Sequence, residues 1–333
     1  MKNDLPLISI IIPVYNSSEF ILNTLLSLET QSYKNFEIII INDGSTDNSL
    51  DIIDSYRKKA KNLILYTQIN SGVSVARNKG IELANGEFVV FLDSDDCYIE
   101  NFLEKMLDKQ RRMNADLIYC GYNKINKFGD IKKIPCLFKE GRILKSYLEK
   151  DGYFHFSGML IRRKVLFDKD IRFEEQQTIS EDLLFTVKLL NHFECYCVKE
   201  YLFNYVERIG STMTSSWSDK EWMIDINGRK KILHYLKHNY SKRDKRDVIQ
   251  LSTLNILQRE ISYLIDCIKR MRYEKVKSYL RDDDFVNRIK MLKKNKLRRR
   301  DEIKLKILER NNTFVWFIYT IYYRFFRFRI KLF

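Results

Sequence analysis

The chain has 333 residues, with 45% hydrophobic and 31% charged side chains, a composition of a folded protein and not of a disordered one. No run of eighteen uncharged apolar residues occurs, so no membrane-spanning helix is expected, and the N-terminal stretch MKNDLPLISIIIPVYN lacks the pattern of a signal peptide. The net charge of +15 is unevenly placed: residues 1–210 carry 28 basic and 30 acidic side chains, and residues 211–333 carry 31 and 14, which points the C-terminal third toward an anionic surface.

In chain order, LISIIIPVYN reads as a short β-rich run. SEFILNTLLSLETQSY reads as a helix with Ser17 or Ser18 as its N-cap. FEIIIIND, NLILYTQI and EFVVFLDSDD repeat the strand pattern. STDNSLDIIDSYRKKA, SVARNKGIELAN and IENFLEKMLDKQRRMN repeat the helical one, and ADLIYCGY is a fifth strand. These strands are continuous apolar runs, which predicts an α/β fold with a doubly wound, mostly parallel sheet covered on both faces.

Ligands in such sheets bind beyond the strand C-termini. Polar clusters fall at four such ends in succession: Tyr15 and Asn16, the segment NDGSTD (42–47), NSG (70–72), and DSDD (93–96). Helix caps and turns explain one or two of these clusters but not four. Neither G-x-G-x-x-G nor G-x-x-x-x-G-K-[ST] is present, which excludes a dinucleotide fingerprint and a P-loop. A diphosphate would then be held through a carboxylate-bound Mg²⁺ or Mn²⁺. Strand alternation predicts that Asp93 and Asp95 face one way and Ser94 the other. The six cysteines form no C-x-x-C and read as reduced packing thiols.

Four ordered blocks, ISIIIPVYN, IIINDGSTDNS, SGVSVARNKGIELANGEFVVFLDSDD and ISEDLLF, together resemble the family 2 glycosyltransferases of GT-A fold, over residues 6–215. The resemblance implies an inverting, nucleotide-sugar-dependent enzyme of bacterial surface-glycan synthesis, with a UDP-sugar as donor. Pro13, Tyr15, Asn16, Asp43, Gly72, Ala76, Arg77, Asn78, Asp93 and Ser94 are implied on the nucleotide-sugar side. Asp43 would accept a hydrogen bond from uracil, and Arg77 would meet the diphosphate or the donor sugar. Asp95 is the implied metal ligand, with Asp93 its companion, and Asp96 is read as a helix cap. Asp182 is the implied catalytic base, with the adjacent Glu181 orienting it or the acceptor. Ser180 stands where many relatives have Gly, and a capping box at that helix start is compatible with catalysis. Arg208, Ser211 and Thr212 resemble a loop that closes over the diphosphate, and His155 is a candidate for the acceptor cleft.

Beyond the catalytic domain (1–215), residues 216–310 read as a basic helical region with apolar residues at three- and four-residue steps. Residues 311–333, TFVWFIYTIYYRFFRFRIKLF with flanking polar positions, read as an amphipathic aromatic and basic tail. The expected partners are a nucleotide-sugar, a glycan or lipid-linked glycan acceptor and the inner face of the cytoplasmic membrane. Self-association through the C-terminal helices is a further option, and nucleic acid is not expected. Alternatives within this reading are a nucleotidyltransferase, disfavoured because PVYNSSEF replaces a Gly-rich basic loop, and an inactive nucleotide-sugar-binding scaffold.

Overall fold

The computed structural model describes residues 5–60, 62–149, 152–208, 217–292 and 299–330. The chain divides into two compact units, Met1–Trp217 and Ser218–Phe333.

The first unit opens with β1 (Ile8–Val14), α1 (Ile21–Glu29), β2 (Phe36–Asn42), α2 (Ser49–Arg57), β3 (Leu63–Thr67), α3 (Val73–Leu83) and β4 (Phe88–Phe91). The four strands lie in the order β3-β2-β1-β4, all parallel. β1, β2 and β4 are buried along their whole length, as continuous Ile and Val runs require when helices cover both faces. α3 packs on β1 at Gly80, where a Cβ would sit 2.2 Å from Cγ2 of Ile11.

The unit continues through β5 (Cys97–Tyr98), α4 (Phe102–Met113), β6 (Leu117–Ile125), β7 (Ile131–Lys133), α5 (Leu144–Glu149), a 3₁₀ turn (Phe156–Gly158), β8 (Met159–Arg162), α6 (Arg163–Asp168), α7 (Glu181–His192) and β9 (Cys195–Val206). Here the expected parallel order stops. β8 inserts between β4 and β6, antiparallel to both, while β9 runs parallel to β6 and β5 antiparallel to β9. The run ADLIYCGY therefore forms the strand β6, but not as the next parallel neighbour. A four-residue strand paired far along the chain leaves no local pattern to read. Two antiparallel steps restore direction, so β6 and β9 run the same way as β4, and their C-terminal ends share its end of the sheet.

The second unit is helical: α8 (Asp219–Asn239), α9 (Lys245–Lys269), α10 (Tyr273–Leu280), α11 (Asp283–Leu292), α12 (Arg299–Glu309) and α13 (Thr313–Ile330). A capping box between Ser218 and Glu221 starts α8. The core gathers on α9, around Leu257, Ile261, Leu264 and Ile268 with Phe285 and Trp316. Trp316 is wholly buried and its Nε1 donates to the Ile307 carbonyl at 2.9 Å, while Thr320 Oγ1 donates to Ile268 O at 2.9 Å. One face of α13 is thus part of this unit's core. The aromatic tail is not a segment apart, because its buried Trp and Thr recur at four-residue spacing against α9. Its other face exposes Phe314, Phe317, Ile318, Ile321 and Tyr322. Among the described residues no helix is long and apolar enough to cross a membrane. The six cysteines are all free thiols.

Candidate active site

The nucleotide-side clusters follow β1, β2, β3 and β4 at one end of the parallel sheet. Pro13 is buried within β1, and Tyr15 beyond it is half exposed. Asn16 takes φ +46°, and its Oδ1 accepts from Thr46 N at 2.8 Å, tying the first loop to the second. Asp43 is buried at the end of β2. Its Oδ1 accepts from Gln68 Nε2 and Ser71 N, and its Oδ2 from Gly72 N, each at 2.8 Å. A carboxylate has about four acceptor positions. Three are used here, so one remains to read a donor on a ligand. Gly72 has φ +94°, and a Cβ built there meets nothing within 4 Å. It leaves open space beside Asp43, as a backbone approach by a ligand requires.

The acidic stretch lies past the strand. β4 ends at Phe91, and Asp93–Asp96 forms a turn closed by Asp96 N donating to Asp93 O at 3.0 Å. The orientation of the acids is therefore set by this turn and by their partners, not by strand alternation. Asp93 Oδ1 accepts from Arg77 at 2.8 Å. Asp95 Oδ2 pairs with Nε of Arg208, whose guanidinium also lies over the Phe20 ring. Ser94 turns inward: its hydroxyl meets Ser17 Oγ at 2.7 Å, and its carbonyl accepts from Thr24. Ser94 is thus a buried brace, and its side chain has no surface to offer a sugar. Ser17 spends its hydroxyl there, so neither it nor Ser18 caps α1, whose N-cap position is Phe20. Asp96 is buried too, and caps no helix; Asn101 precedes α4. The Oδ1 of Asp96 accepts from Val206 N at 2.9 Å, which holds the end of β9 against the turn, while its Oδ2 has no hydrogen-bond partner among the described residues.

Burial pushes the Asp95 carboxyl up, and the neighbouring Asp93 charge pushes it further. Burial pushes Asp96 well up, with Asp95 and Asp93 adding to it. The unpartnered buried oxygen of Asp96 beside the Asp93 and Asp95 carboxylates, which the arginines already pair, fits a divalent cation only where a diphosphate supplies further oxygens, since the described residues hold no group of three metal-ligating side chains.

Arg77, on α3, is buried and does not face a ligand. Its two terminal nitrogens bind Asp93 Oδ1 at 2.8 Å and Glu181 Oε1 at 2.9 Å, with its guanidinium 4.5 and 5.1 Å from the ring centroids of Phe156 and Phe173. This corrects the expectation that Arg77 meets diphosphate or donor sugar: both forks of its planar head are spent on protein carboxylates. Ala76 has no exposed surface and is core. Asn78 is a strut, exchanging hydrogen bonds with the Phe173 backbone at 2.9 and 3.0 Å. The block ARN thus fastens the segment before α7 to the sheet.

Ser180 takes φ +65° and makes no side-chain cap, so the expected capping box is absent. The left-handed backbone instead explains why this position suits Gly. Glu181 is anchored by Arg77. Despite that contact, burial and the adjacent Asp182 keep its carboxyl raised. Asp182 follows in the first helical turn. Burial raises its carboxyl too, with Arg77 and the Leu183 amide opposing and Asp93 adding to the rise. The donor-side turn and the start of α7 therefore form one electrostatic unit. His155 stacks on Phe203 with centroids 5.0 Å apart, and its Nδ1 accepts from Ser157 N at 3.3 Å; burial lowers its pKa to about 4, so it is a neutral ring supporting this cluster. Ser211 and Thr212 lie outside the described residues.

Four contributors went unseen in the sequence. Gln68 was adjacent to the NSG block and polar, a usable signal. Phe156, Phe173 and Val206 carry no local signal, because their roles rest on contacts with residues at least 79 positions away.

A family model described as glycosyl transferase family 2 matches residues 9–168. A Haemophilus influenzae protein described as an uncharacterized glycosyltransferase is 32% identical over 240 residues, covering 71% of this chain and 94% of its own. The poly(ribitol-phosphate) beta-N-acetylglucosaminyltransferase TarP of Staphylococcus aureus is 29% identical over 329 residues, 91% of this chain and 98% of its own. Crystalline S. aureus TarS 1-349 in complex with UDP-GlcNAc superposes with a TM-score of 0.67 at 20% identity, covering 96% of this chain and 92% of that one. The fold is the GT-A fold, with a mixed sheet and a helical C-terminal region. The chain belongs to glycosyl transferase family 2 and is a glycosyltransferase, which sets aside the nucleotidyltransferase reading.

Proposed function

We propose that this enzyme moves a sugar from a UDP-sugar to a hydroxyl group of a bacterial surface polysaccharide or lipid-linked glycan, with inversion at the anomeric carbon. The observation that carries the reading is the buried chain Asp93–Arg77–Glu181, which ties the donor-side turn to the helix start bearing Asp182. The UDP-GlcNAc bound in TarS and the acceptor in the name of TarP support the donor and acceptor classes. Asp43, with its remaining acceptor position, reads the base, and Gly72 leaves room beside it. Asp182 takes the proton of the acceptor hydroxyl. The acceptor oxygen bonds to the anomeric carbon as the bond to the diphosphate breaks, and UDP leaves with the electron pair. Asp95 and Asp93 would hold Mn²⁺ or Mg²⁺, which supplies positive charge to the leaving diphosphate when bound.

The test is UDP release by the full chain with Mn²⁺ and a panel of UDP-sugars, with and without acceptor extract. Asp182→Asn should lower transfer by about 10²- to 10⁴-fold and leave the thermal shift by UDP intact. Asp95→Ala should weaken metal-dependent UDP binding. No UDP release from any common donor would overturn the assignment and favour an inactive binding protein.

The exposed face of α13 favours a second element of this reading, attachment to an anionic membrane surface. Five apolar side chains face outward there, in a region of strong positive charge. Phe314, Ile318 and Ile321 changed together to Ser should abolish flotation with phosphatidylglycerol vesicles. Unchanged flotation would sink the membrane proposal, and a shift from oligomer to monomer would mark the face as a subunit contact instead.

A further inference from the structure

The hairpin of β6 and β7 rises from the same end of the sheet as the acidic turn, because β6 runs in the direction of β4. Its β6 side is stitched to the segment just past β9 that leads into Arg208. Glu207 N donates to Ile125 O at 2.8 Å, and Lys124 Nζ pairs with Glu207 at 2.6 Å. Arg208, the next residue, binds Asp95. The hairpin therefore flanks the site beside the predicted metal ligand.

Its tip is built firmly. Asn126 Oδ1 accepts from Phe128 N and Asp130 N, its Nδ2 donates to Asp130, and Gly129 turns at φ +85°. What this turn presents is unusual. Lys124 stands directly opposite Lys132 in the register, an unfavourable like-charge pair. Glu207 neutralises Lys124 alone. Lys127, Lys132 and Lys133 have no carboxylate partner among the described residues; Lys127 lies over Phe128 and Lys133 over Tyr201. Phe128 is 78% exposed and Ile131 65%. Lysines alone would be ordinary protection of a sheet edge. An aromatic and an Ile held outward among them are not, since protection against self-pairing calls for the opposite.

We propose that this hairpin is an acceptor-binding lip for a glycan or polyol chain that carries phosphodiesters. Lys127, Lys132 and Lys133 meet the phosphates as mobile point charges, and Phe128 packs against the carbon face of the intervening unit. The inference deepens the transfer reading above and rests on it for the word acceptor. Alternation of charge and apolar surface matches a polymer that alternates phosphate with sugar or polyol. A bilayer is the rival occupant.

The experiment titrates the full chain with poly(ribitol phosphate), with neutral dextran and with phosphatidylglycerol vesicles, over a range of salt. The wild type should bind the polymer and not dextran. Lys127, Lys132 and Lys133 changed together to Gln should weaken polymer binding about tenfold or more and lower the slope of log affinity against log salt by about two. Phe128→Ala should weaken it at unchanged salt slope. With this acceptor, the triple variant should show a raised acceptor KM with kcat and the UDP thermal shift unchanged. Equal polymer binding by the triple variant and wild type, or no polymer binding by wild type, overturns the inference. A loss seen with vesicles and not with polymer overturns it in favour of a bilayer. UDP release without acceptor is read in parallel: if it is absent while the lysines still govern polymer binding, the transfer reading fails and the phosphodiester surface stands.

Discussion

Replacing Arg77 by Met tests the buried ion-pair chain most directly. Arg77 is 3% exposed, and it is the shared partner of Asp93 and Glu181. Met keeps much of the stem but leaves two carboxylates facing each other in a poorly hydrated interior. Removing one partner of a buried pair costs about 3–5 kcal/mol. The Arg77 charge now holds the Asp93 carboxyl down against burial, with smaller help from Arg208. Without it, Asp93 takes up a proton and part of the cost is relieved. For a unit of this size, 3–5 kcal/mol lowers the melting temperature by roughly 6–20 °C. The assay is thermal and urea unfolding of the full chain, followed by a signal from the first unit, with Glu181→Gln and the double variant completing a cycle. Removing the uncompensated Glu181 charge should recover roughly 1–3 kcal/mol, a coupling of the size expected for residues in contact. An Arg77→Met variant within about 1 kcal/mol of wild type, or strict additivity with Glu181→Gln, would refute the account of Arg77 as the hub of the site.

Other consequences are sharper in sign than in size. Ser180→Gly should stabilise the first unit by up to about 1 kcal/mol, because Gly removes the left-handed penalty of about 1–2 kcal/mol while adding unfolded-state freedom; a lower melting temperature would contradict this. Gly72→Ala meets open space, yet its φ of +94° disfavours Ala; a loss of about 1 kcal/mol in stability should accompany a larger loss of UDP affinity, measured by titration. For His155, burial lowers the folded pKa to about 4 from 6.5. The unfolded chain then binds the extra proton first, so stability is full above pH 6.5 and falls as pH drops toward 4, by about 3 kcal/mol. His155→Phe should flatten that part of the pH–stability curve, at a cost of about 1 kcal/mol near neutrality for the unpaired Ser157 amide; an unchanged acid slope in urea titrations would assign the sensitivity elsewhere.

The four parallel strands, and the end of the sheet where the polar blocks gather, could be read from the amino-acid sequence. Those are local properties: continuous apolar runs that bury on both faces, and polar clusters where each run stops. Asp43, Gly72, Asp93, Asp95 and Asp182 could be picked from such blocks and from resemblance. What each block touches emerges only from the folded chain. Arg77, Asn78 and Ser94 sit in motifs that read as ligand contacts, yet their polar atoms are spent on Asp93 and Glu181, on Phe173 and on Ser17. Asp96 looked like a cap and is a clamp on Val206. The short strand β8, paired with β4 and β6, likewise depends on partners 40 to 74 residues away. A buried polar side chain takes its role from whichever group the fold brings within hydrogen-bond reach, and that group is named by the chain's path and not by its neighbours in sequence.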